Sequence, residues 1–267
     1  MSTYKLIDFK NNKEIPTIPL QLDSSYIPGG KLDLDILCEF NVENLLQESY
    51  KEYEYVGETI ERIAKELLLK YKFELVKRNF YAFIARELTR NVIEHSKAEY
   101  YYFAIYIGNE NEIGFKVIDN GIGIKKSLNS NPSYNLKDHR TALSFAINPG
   151  ITKSYKKDPN RDEVWQNSGF GLYMVKSISD IIGYFSIATG DSLLISKNAI
   201  KSYYKYKIKG TEVTVVLNNK IRINTGELLR KISQKGNELA KSSPNFAKYA
   251  EIKTASKAST LLDDCNK

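Results

Sequence analysis

The sequence predicts an α+β fold, a two-layer α/β sandwich whose mixed, mostly antiparallel sheet carries helices on one face. Three observations support this prediction. Residues 56–71 and 73–95 place apolar side chains three and four positions apart, as amphipathic helices do. Residues 101–107 and 112–118 then alternate as strands do, with a short polar hairpin between them. A further helix and three more strands follow.

The N-terminal part is expected to form an extension, residues 1–52, with short strands at 4–9 and 32–40. It could be an added subdomain, an addition to the edge of the sheet or a dimer arm. The central domain is expected at 53–218. A basic tail is expected at 219–267, with one possible short helix at 226–239.

One segment of the central domain needs a functional explanation. Residues 125–167 show little regular pattern apart from a helix at 140–148. Loops of this length inside a compact domain are usually lids or disordered segments, so a lid is expected here. A helix then runs to about Ile182, where Gly183 ends it, and strands are expected at 184–189, 193–202 and 209–217.

Composition narrows the classes of function. The chain has 267 residues, 42% of them hydrophobic, but no run of the roughly 18 apolar residues that a membrane helix needs. No membrane partner is therefore expected, and a cytoplasmic location is the default. With two cysteines and two histidines, a zinc site or a disulfide framework is not expected. The net charge of +7 is spread over loops that also carry Asp and Glu, so nucleic acid is an unfavoured partner that stays open.

Three polar side chains fall within the apolar stripe of the second helix. Glu87, Asn91 and His95 are spaced four residues apart, in phase with apolar positions such as Ile84 and Leu88. A buried carboxylate or amide costs free energy unless something pairs with it. The pattern therefore indicates either a structural hydrogen-bond network or an interior ligand site.

Two glycine motifs lie at the ends of predicted elements. In VIDNGIGI, residues 117–124, Asp119 ends a strand, and Gly121 and Gly123 let a flat ring approach the backbone; an ordinary turn is the alternative. In NSGFGLYMV, residues 167–175, glycines precede a helix whose N-terminal N–H groups could face a phosphate. A plain helix start capped by Ser168 is the alternative there.

The order and spacing of four motifs resemble the GHKL superfamily, which includes gyrase, the heat-shock chaperone ATPases, histidine kinases and mismatch-repair ATPases. RELTRNVIEHS at 86–96 is similar to the N box, and VIDNGIGI and NSGFGLYMV are similar to the two glycine boxes. KGTEVTVVL at 209–217 is similar to the closing Gly-Thr strand. The resemblance covers residues 56–217 and implies an ATP-binding domain of the Bergerat, histidine-kinase-like fold in a stand-alone protein.

The resemblance also implies a role for each matching residue. Asn91 would be the Mg²⁺ ligand, and Asp119 would bind the adenine amine of ATP, supported by Gly121, Gly123 and Thr211. The phosphates would be held by the second glycine box, which consists of Ser168, Gly169, Phe170, Gly171 and Leu172. One lid cation would reach the γ-phosphate, and the candidates, each of which could instead be simply solvated, are Lys153, Lys156, Lys157 and Arg161.

Glu87 distinguishes between subclasses of this superfamily. Histidine kinases usually have asparagine there, whereas hydrolysing members and the anti-sigma-factor serine kinases, which the N box resembles most closely, have glutamate. A carboxylate one helical turn from the metal ligand can orient and deprotonate an oxygen nucleophile. A histidine kinase needs a phosphoacceptor histidine on an upstream helix, and no histidine precedes Glu87. His95 lies within the N box itself and is expected to pack or to support the site.

The leading hypothesis is therefore an Mg²⁺-dependent ATPase that uses lid closure as a switch for a partner protein or for its own dimer. A protein serine/threonine kinase of the anti-sigma-factor type, in which Glu87 would activate a partner's hydroxyl, is the first alternative. A non-catalytic nucleotide-dependent adaptor, or a nucleic-acid-binding protein that acts through the basic tail, is the second.

Overall fold

The computed structural model describes residues 3–8, 32–108, 111–153, 169–220 and 222–242, and its strands form one open sheet. The strands are β1 (Tyr4–Leu6), β2 (Leu32–Asn41), β3 (Tyr100–Gly108), β4 (Glu112–Asp119), β5 (Gly183–Lys197) and β6 (Ile200–Asn218). They lie in the order β1-β2-β3-β4-β6-β5, and every described pairing is antiparallel.

The described sheet is thus antiparallel, where a mixed sheet was expected. β4 and β5 run in the same direction, because the long connection between them returns the chain before β5 begins. The two strands would form a parallel pair if they were neighbours. β6 lies between them and pairs with both. The coarser prediction, an α+β fold with an antiparallel sheet under helices, is confirmed.

Seven α-helices occur in the described residues, and a π-helical turn, Val92–Ser96, follows the third of them. The helices are α1 (Val42–Lys51), α2 (Val56–Leu68), α3 (Leu75–Asn91), α4 (Gly123–Leu128), α5 (His139–Ala146), α6 (Gly171–Ile182) and α7 (Thr225–Ser242). The main core lies between helices and sheet, where alternate residues of β3 and β4, such as Phe103 and Phe115, meet α3 and α6. None of these helices is both long and apolar enough to cross a membrane.

α3 is the central helix of the helical layer. Every residue from 79 to 90 is buried, because α2 packs on one side of the helix and the sheet and α6 lie on the other. The predicted apolar stripe, which includes Phe83 and Leu88, is part of the core. The α-helical geometry ends at Asn91, earlier than predicted. Lys97 caps the π turn that follows, and its φ of 56° lies in the left-handed region.

The N-terminal strands add to one edge of the sheet, which is one of the three alternatives left open by the sequence. β2 pairs with β3 along its length, and β1 pairs with β2. Two helices were not predicted. α1 starts at the cap Asn41, whose Oδ1 accepts from Asn44 N at 2.9 Å. α4 is only six residues long and has no apolar periodicity that a sequence pattern could reveal.

The predicted strand at 193–202 was wrong, because it runs across a turn. Asn198 and Ala199 both have positive φ, 50° and 62°, and join β5 and β6 in a tight hairpin. The two strands are long and continuous on either side of that turn. A two-residue turn of this kind usually contains a glycine, by which it can be predicted from the sequence, and this turn contains none.

The possible C-terminal helix is present as α7 and is longer than predicted. Leu229, Ile232 and Ala240 are buried in the main core, and α7 packs against α6. The packed body therefore extends beyond residue 218 at one end, as it does before residue 53 at the other.

Candidate active site

Residues from five separate parts of the chain line one cleft between the helices and the sheet. The cleft encloses about 960 Å³ of space, part of it open to solvent. It brings together most of the residues selected from the sequence, namely Glu87, Asn91, Asp119, Gly123, Lys153, Gly169, Gly171, Leu172 and Thr211.

Two of the selected residues that the structure describes are placed differently. Gly121 lies beside the cleft, against the Ser96 carbonyl, where a Cβ atom would overlap that oxygen. Phe170 turns its side chain into the core and packs edge-on against Tyr173. Ser168 lies outside the described residues, as do the lid candidates Lys156, Lys157 and Arg161.

Glu87 is anchored through one of its carboxylate oxygens. Its side chain is 4% exposed, and Oε1 accepts hydrogen bonds from Nε and Nη2 of Arg86 at 3.1 and 3.0 Å. Arg90 Nη1 lies 3.8 Å from the same oxygen. The second oxygen, Oε2, lies against Gly171, where a Cβ atom would overlap it. One oxygen is therefore held, while the other meets the first residue of α6.

Asn91 is oriented by the backbone of its own helix. Its Nδ2 donates to the Glu87 carbonyl at 2.7 Å, one turn earlier. Because the amide nitrogen is used in this way, the amide oxygen is the atom left to act as an acceptor in the cleft. An amide oxygen is a suitable ligand for Mg²⁺ and adds no negative charge beside phosphates.

Asp119 ends β4 at the floor of the cleft, where it is buried. Its neighbour across β6 is Thr211, and its Oδ1 accepts from Gly121 N at 2.8 Å. Burial raises the pKa of Asp119 to about 6, while hydrogen bonds from Gly121 and Thr211 act in the opposite direction. A buried carboxylate with these donors on one side is an acceptor for an N–H group that enters from the other.

Gly123 starts α4 with a φ of 73°, which is costly for residues other than glycine. A Cβ atom there would lie 2.8 Å from Thr189 Oγ1. This hydroxyl donates to the Gly210 carbonyl at 2.8 Å and accepts from Ile124 N at 3.2 Å, so it ties α4 to the hairpin β5–β6. Thr189 could not be selected from the sequence, because its strand position identifies only a core residue.

The N-terminus of α6 opens onto the same cleft. Within the described part of the chain, no side chain caps this helix. Gly169, with a φ of 70°, hydrogen-bonds through its carbonyl to Gly150 N at 3.1 Å, which holds the approach to the helix in place. N–H groups at a helix start and the positive end of the helix dipole attract a phosphate.

Lys153 and His95 lie on the side of the cleft formed by the π turn. Burial lowers the pKa of Lys153, Lys97 lowers it further, and Glu94 opposes both. Burial lowers the pKa of His95 to about 4; Glu94 opposes this effect, whereas Lys153 and Arg90 add to it. His95 is therefore neutral near pH 7, and Lys153 supplies a cation at this wall.

The remaining walls are largely apolar. They consist of Val117, Ile124, Leu128, Ala146, Ile151, Ile187 and Val213. Apolar walls beside the carboxylate of Asp119 suit a flat ring with one polar edge. A sequence reading missed Arg86 and Arg90 as parts of the site, although two arginines flanking a glutamate on a buried stripe were a usable signal.

The described residues include no cluster of three or more His, Cys, Asp or Glu side chains that could hold a metal by itself. A magnesium ion here would have to take Asn91 as its protein ligand and complete its shell with phosphate oxygens and water, which is the usual arrangement for Mg²⁺ at a nucleotide. The donor set fits the ion in that form.

No model of a known protein family matches this chain, and no curated protein does.

Proposed function

We propose that the protein is an Mg²⁺-dependent ATPase of the GHKL type. The observation that carries this proposal is the convergence of segments separated by more than a hundred residues, from Glu87 to Thr211, on one cleft. Each contributes a different group: a carboxylate that can act as a base, an amide oxygen, a buried acceptor and a helix start that no described side chain caps. Mg²⁺ with a nucleoside triphosphate would use all four groups.

The adenine ring would bind at the end of the cleft formed by β4, β6 and α4. Asp119 would accept a hydrogen bond from the exocyclic amine, and Thr211 would fix the orientation of the carboxylate. Because the pKa of Asp119 lies near 6, the group is mostly ionised at neutral pH and can accept this bond with the strength of a charged acceptor. The apolar walls would enclose the faces of the ring.

The triphosphate would extend towards α3 and the start of α6. Gly169 and Gly171 would let its oxygens approach the backbone, and Lys153 would add a positive charge. Asn91 would hold Mg²⁺, which when bound neutralises phosphate charge.

Glu87 would activate the nucleophile. Its Oε1 is held by Arg86, so Oε2 is the oxygen able to accept a proton from a water molecule. As the water oxygen bonds to the γ-phosphorus, the bond from that phosphorus to the β,γ-bridging oxygen breaks, and ADP and phosphate leave. The proton passes to Glu87 and then to solvent.

The cleft walls also suggest how nucleotide could act as a switch. Most of α4 and residues 151–153 belong to the segment expected to be a lid, and residues of both line the cleft. Contacts from these parts to a bound triphosphate would differ before and after hydrolysis. Such a difference is what a nucleotide-driven switch for a partner or a dimer requires.

Phosphate release from Mg·ATP tests the proposal. Glu87→Gln should lower kcat by at least about a hundredfold while ATP still binds, because binding uses other residues. Glu66→Gln removes the same charge from the exposed face of α2 and is the control. Unchanged hydrolysis in Glu87→Gln would contradict the assigned role. Transfer of γ-labelled phosphate to a protein in place of release would favour the kinase alternative.

A further inference from the structure

A chain of alternating charges runs through the helical layer from the surface of α2 to the cleft. Lys65 Nζ lies 2.8 Å from Glu61 Oε1, and Glu61 Oε2 lies 2.6 Å from Arg86 Nη1. Arg86 in turn donates to Glu87 through Nε and Nη2. Arg90 continues this chain of charges on the other side of Glu87 and pairs with Glu94 at 2.9 Å.

Arg86 lies at the centre of this chain, between two clefts. Its side chain is 2% exposed, and its guanidinium stacks over the Phe83 ring with the central carbon 4.9 Å from the ring centroid. On one side it holds the Glu87 carboxylate of the nucleotide cleft. On the other it lines a second cleft, between α2 and α3, together with Glu61. The guanidinium is therefore the physical connection between the two clefts.

The geometry limits how Arg86 can move. A guanidinium is planar, with its donors fixed in a fork, so the donors on its two sides cannot be re-aimed independently. Glu61 fixes the Nη1 side, and Glu87 is held by the Nε and Nη2 side. If Glu61 no longer holds Nη1, the plane can rotate about the remaining contacts and carry Glu87 Oε1 with it. The position of Oε2 beside Gly171 then changes as well.

We propose that Arg86 and Glu61 are positioning residues for Glu87, and that Glu61 sets the rate of phosphoryl transfer from outside the nucleotide site. This inference rests on the proposed function of Glu87. Glu61 is not among the described residues that line the nucleotide cleft, and its side chain is 18% exposed in the second cleft. A change at Glu61 can reach the reaction through its contact with Arg86.

The test compares kcat with KM for ATP in full-length variants. Glu61→Gln removes the charge of this pair and weakens the hold on Arg86 Nη1, because an amide oxygen is a weaker acceptor than a carboxylate. The substitution should therefore lower kcat about tenfold, the size of effect that changes to an outer-shell partner typically have, and leave KM within about twofold. Glu66→Gln is a matched control, because Glu66 lies on the same helix and in the same cleft but pairs with Arg62. Its kcat should match that of the wild type.

Two further variants separate positioning from general damage. Arg86→Lys keeps the buried charge but not the fork, and it should lower kcat as Glu61→Gln does, with KM again unchanged. If Glu61→Gln does not fold, Arg86→Lys tests the positioning role by itself. In a Glu87→Gln background, Glu61→Gln should not lower the residual rate further, because there is no base left to position.

The outcomes distinguish this inference from the proposed function. If Glu87→Gln abolishes turnover but Glu61→Gln and Arg86→Lys both keep wild-type kcat, the positioning role is wrong and the ATPase remains. If both variants raise KM and leave kcat unchanged, or lower the residual rate of Glu87→Gln, they act on binding or on the fold, and the positioning role is again wrong. If Glu87→Gln keeps full turnover, the proposed function itself fails.

Discussion

The two carboxylate oxygens of the buried Glu87 side chain have different environments, since Oε1 faces arginines and Oε2 faces Gly171. The absence of a Cβ at Gly171 makes room for the second oxygen and for the molecule that it is expected to contact.

Asp119 gives a prediction at the same scale, because its pKa is raised from 3.8 to about 6 in the folded chain. The folded state binds the proton more tightly than the unfolded state, so the contribution of Asp119 to stability is full below pH 3.8 and is lost as the pH rises through about 6. The loss is at most about 3 kcal/mol.

Urea unfolding of the nucleotide-free protein measures this effect. The free energy of unfolding of the wild type, relative to Asp119→Asn, should fall between pH 4 and pH 6 by an amount on the order of 2 kcal/mol and then stay level. A difference between the two proteins that is constant over this range would show that Asp119 has an ordinary pKa.

At the scale of elements, periodicity predicted the long helices and missed local exceptions. The apolar stripe of α3 could be predicted from the sequence, because a helix buried on several sides repeats large side chains every three to four residues. The π turn after Asn91 could not be predicted, since an extra residue in one helical turn does not change which residue types occur there. It nevertheless keeps Glu94 and His95 on the cleft wall.

The hairpin β5–β6 provides a second prediction. Ala199 has a φ of 62°, and the left-handed region costs a residue with a Cβ about 1 kcal/mol or more relative to glycine. Ala199→Gly should therefore raise the free energy of unfolding by about 1 kcal/mol.

The control is Ala188→Gly, a buried position within β5. There the same change should destabilise by about 1 kcal/mol, because glycine gains nothing in an extended strand and loses more entropy on folding. Equal effects of the two substitutions would mean that the turn at Asn198 and Ala199 is not formed as described.

At the scale of the whole molecule, most of the candidate site could be predicted from the sequence, but less of its surroundings. Asn91 could be selected as a polar residue on an apolar helix stripe, and Asp119 and Gly171 from glycine motifs at the ends of predicted elements. Thr189 acts through a tertiary contact with α4, which no local pattern encodes, and the pairing of Arg86 with Glu61 on α2 is likewise set by tertiary packing. The place of β6 between β4 and β5 is likewise a property of the whole sheet.

α7 shows that the fold depends on residues outside the expected central domain. Leu229 is 1% exposed, whereas Leu239 on the same helix is 43% exposed. Leu229→Ala should lower the free energy of unfolding by about 2–4 kcal/mol, and Leu239→Ala by less than about 1 kcal/mol. Chemical denaturation of both variants checks this prediction. Similar, small losses would mean that α7 does not pack on α6.

The central claim is that the cleft binds Mg·ATP, and calorimetric titration with a non-hydrolysable ATP analogue tests it most directly. The wild type should bind one analogue per chain, with affinity at least about tenfold lower without Mg²⁺ and in Asp119→Asn, because each loses a charge-assisted contact. Absence of binding by the wild type, or equal binding by Asp119→Asn, would contradict the claim.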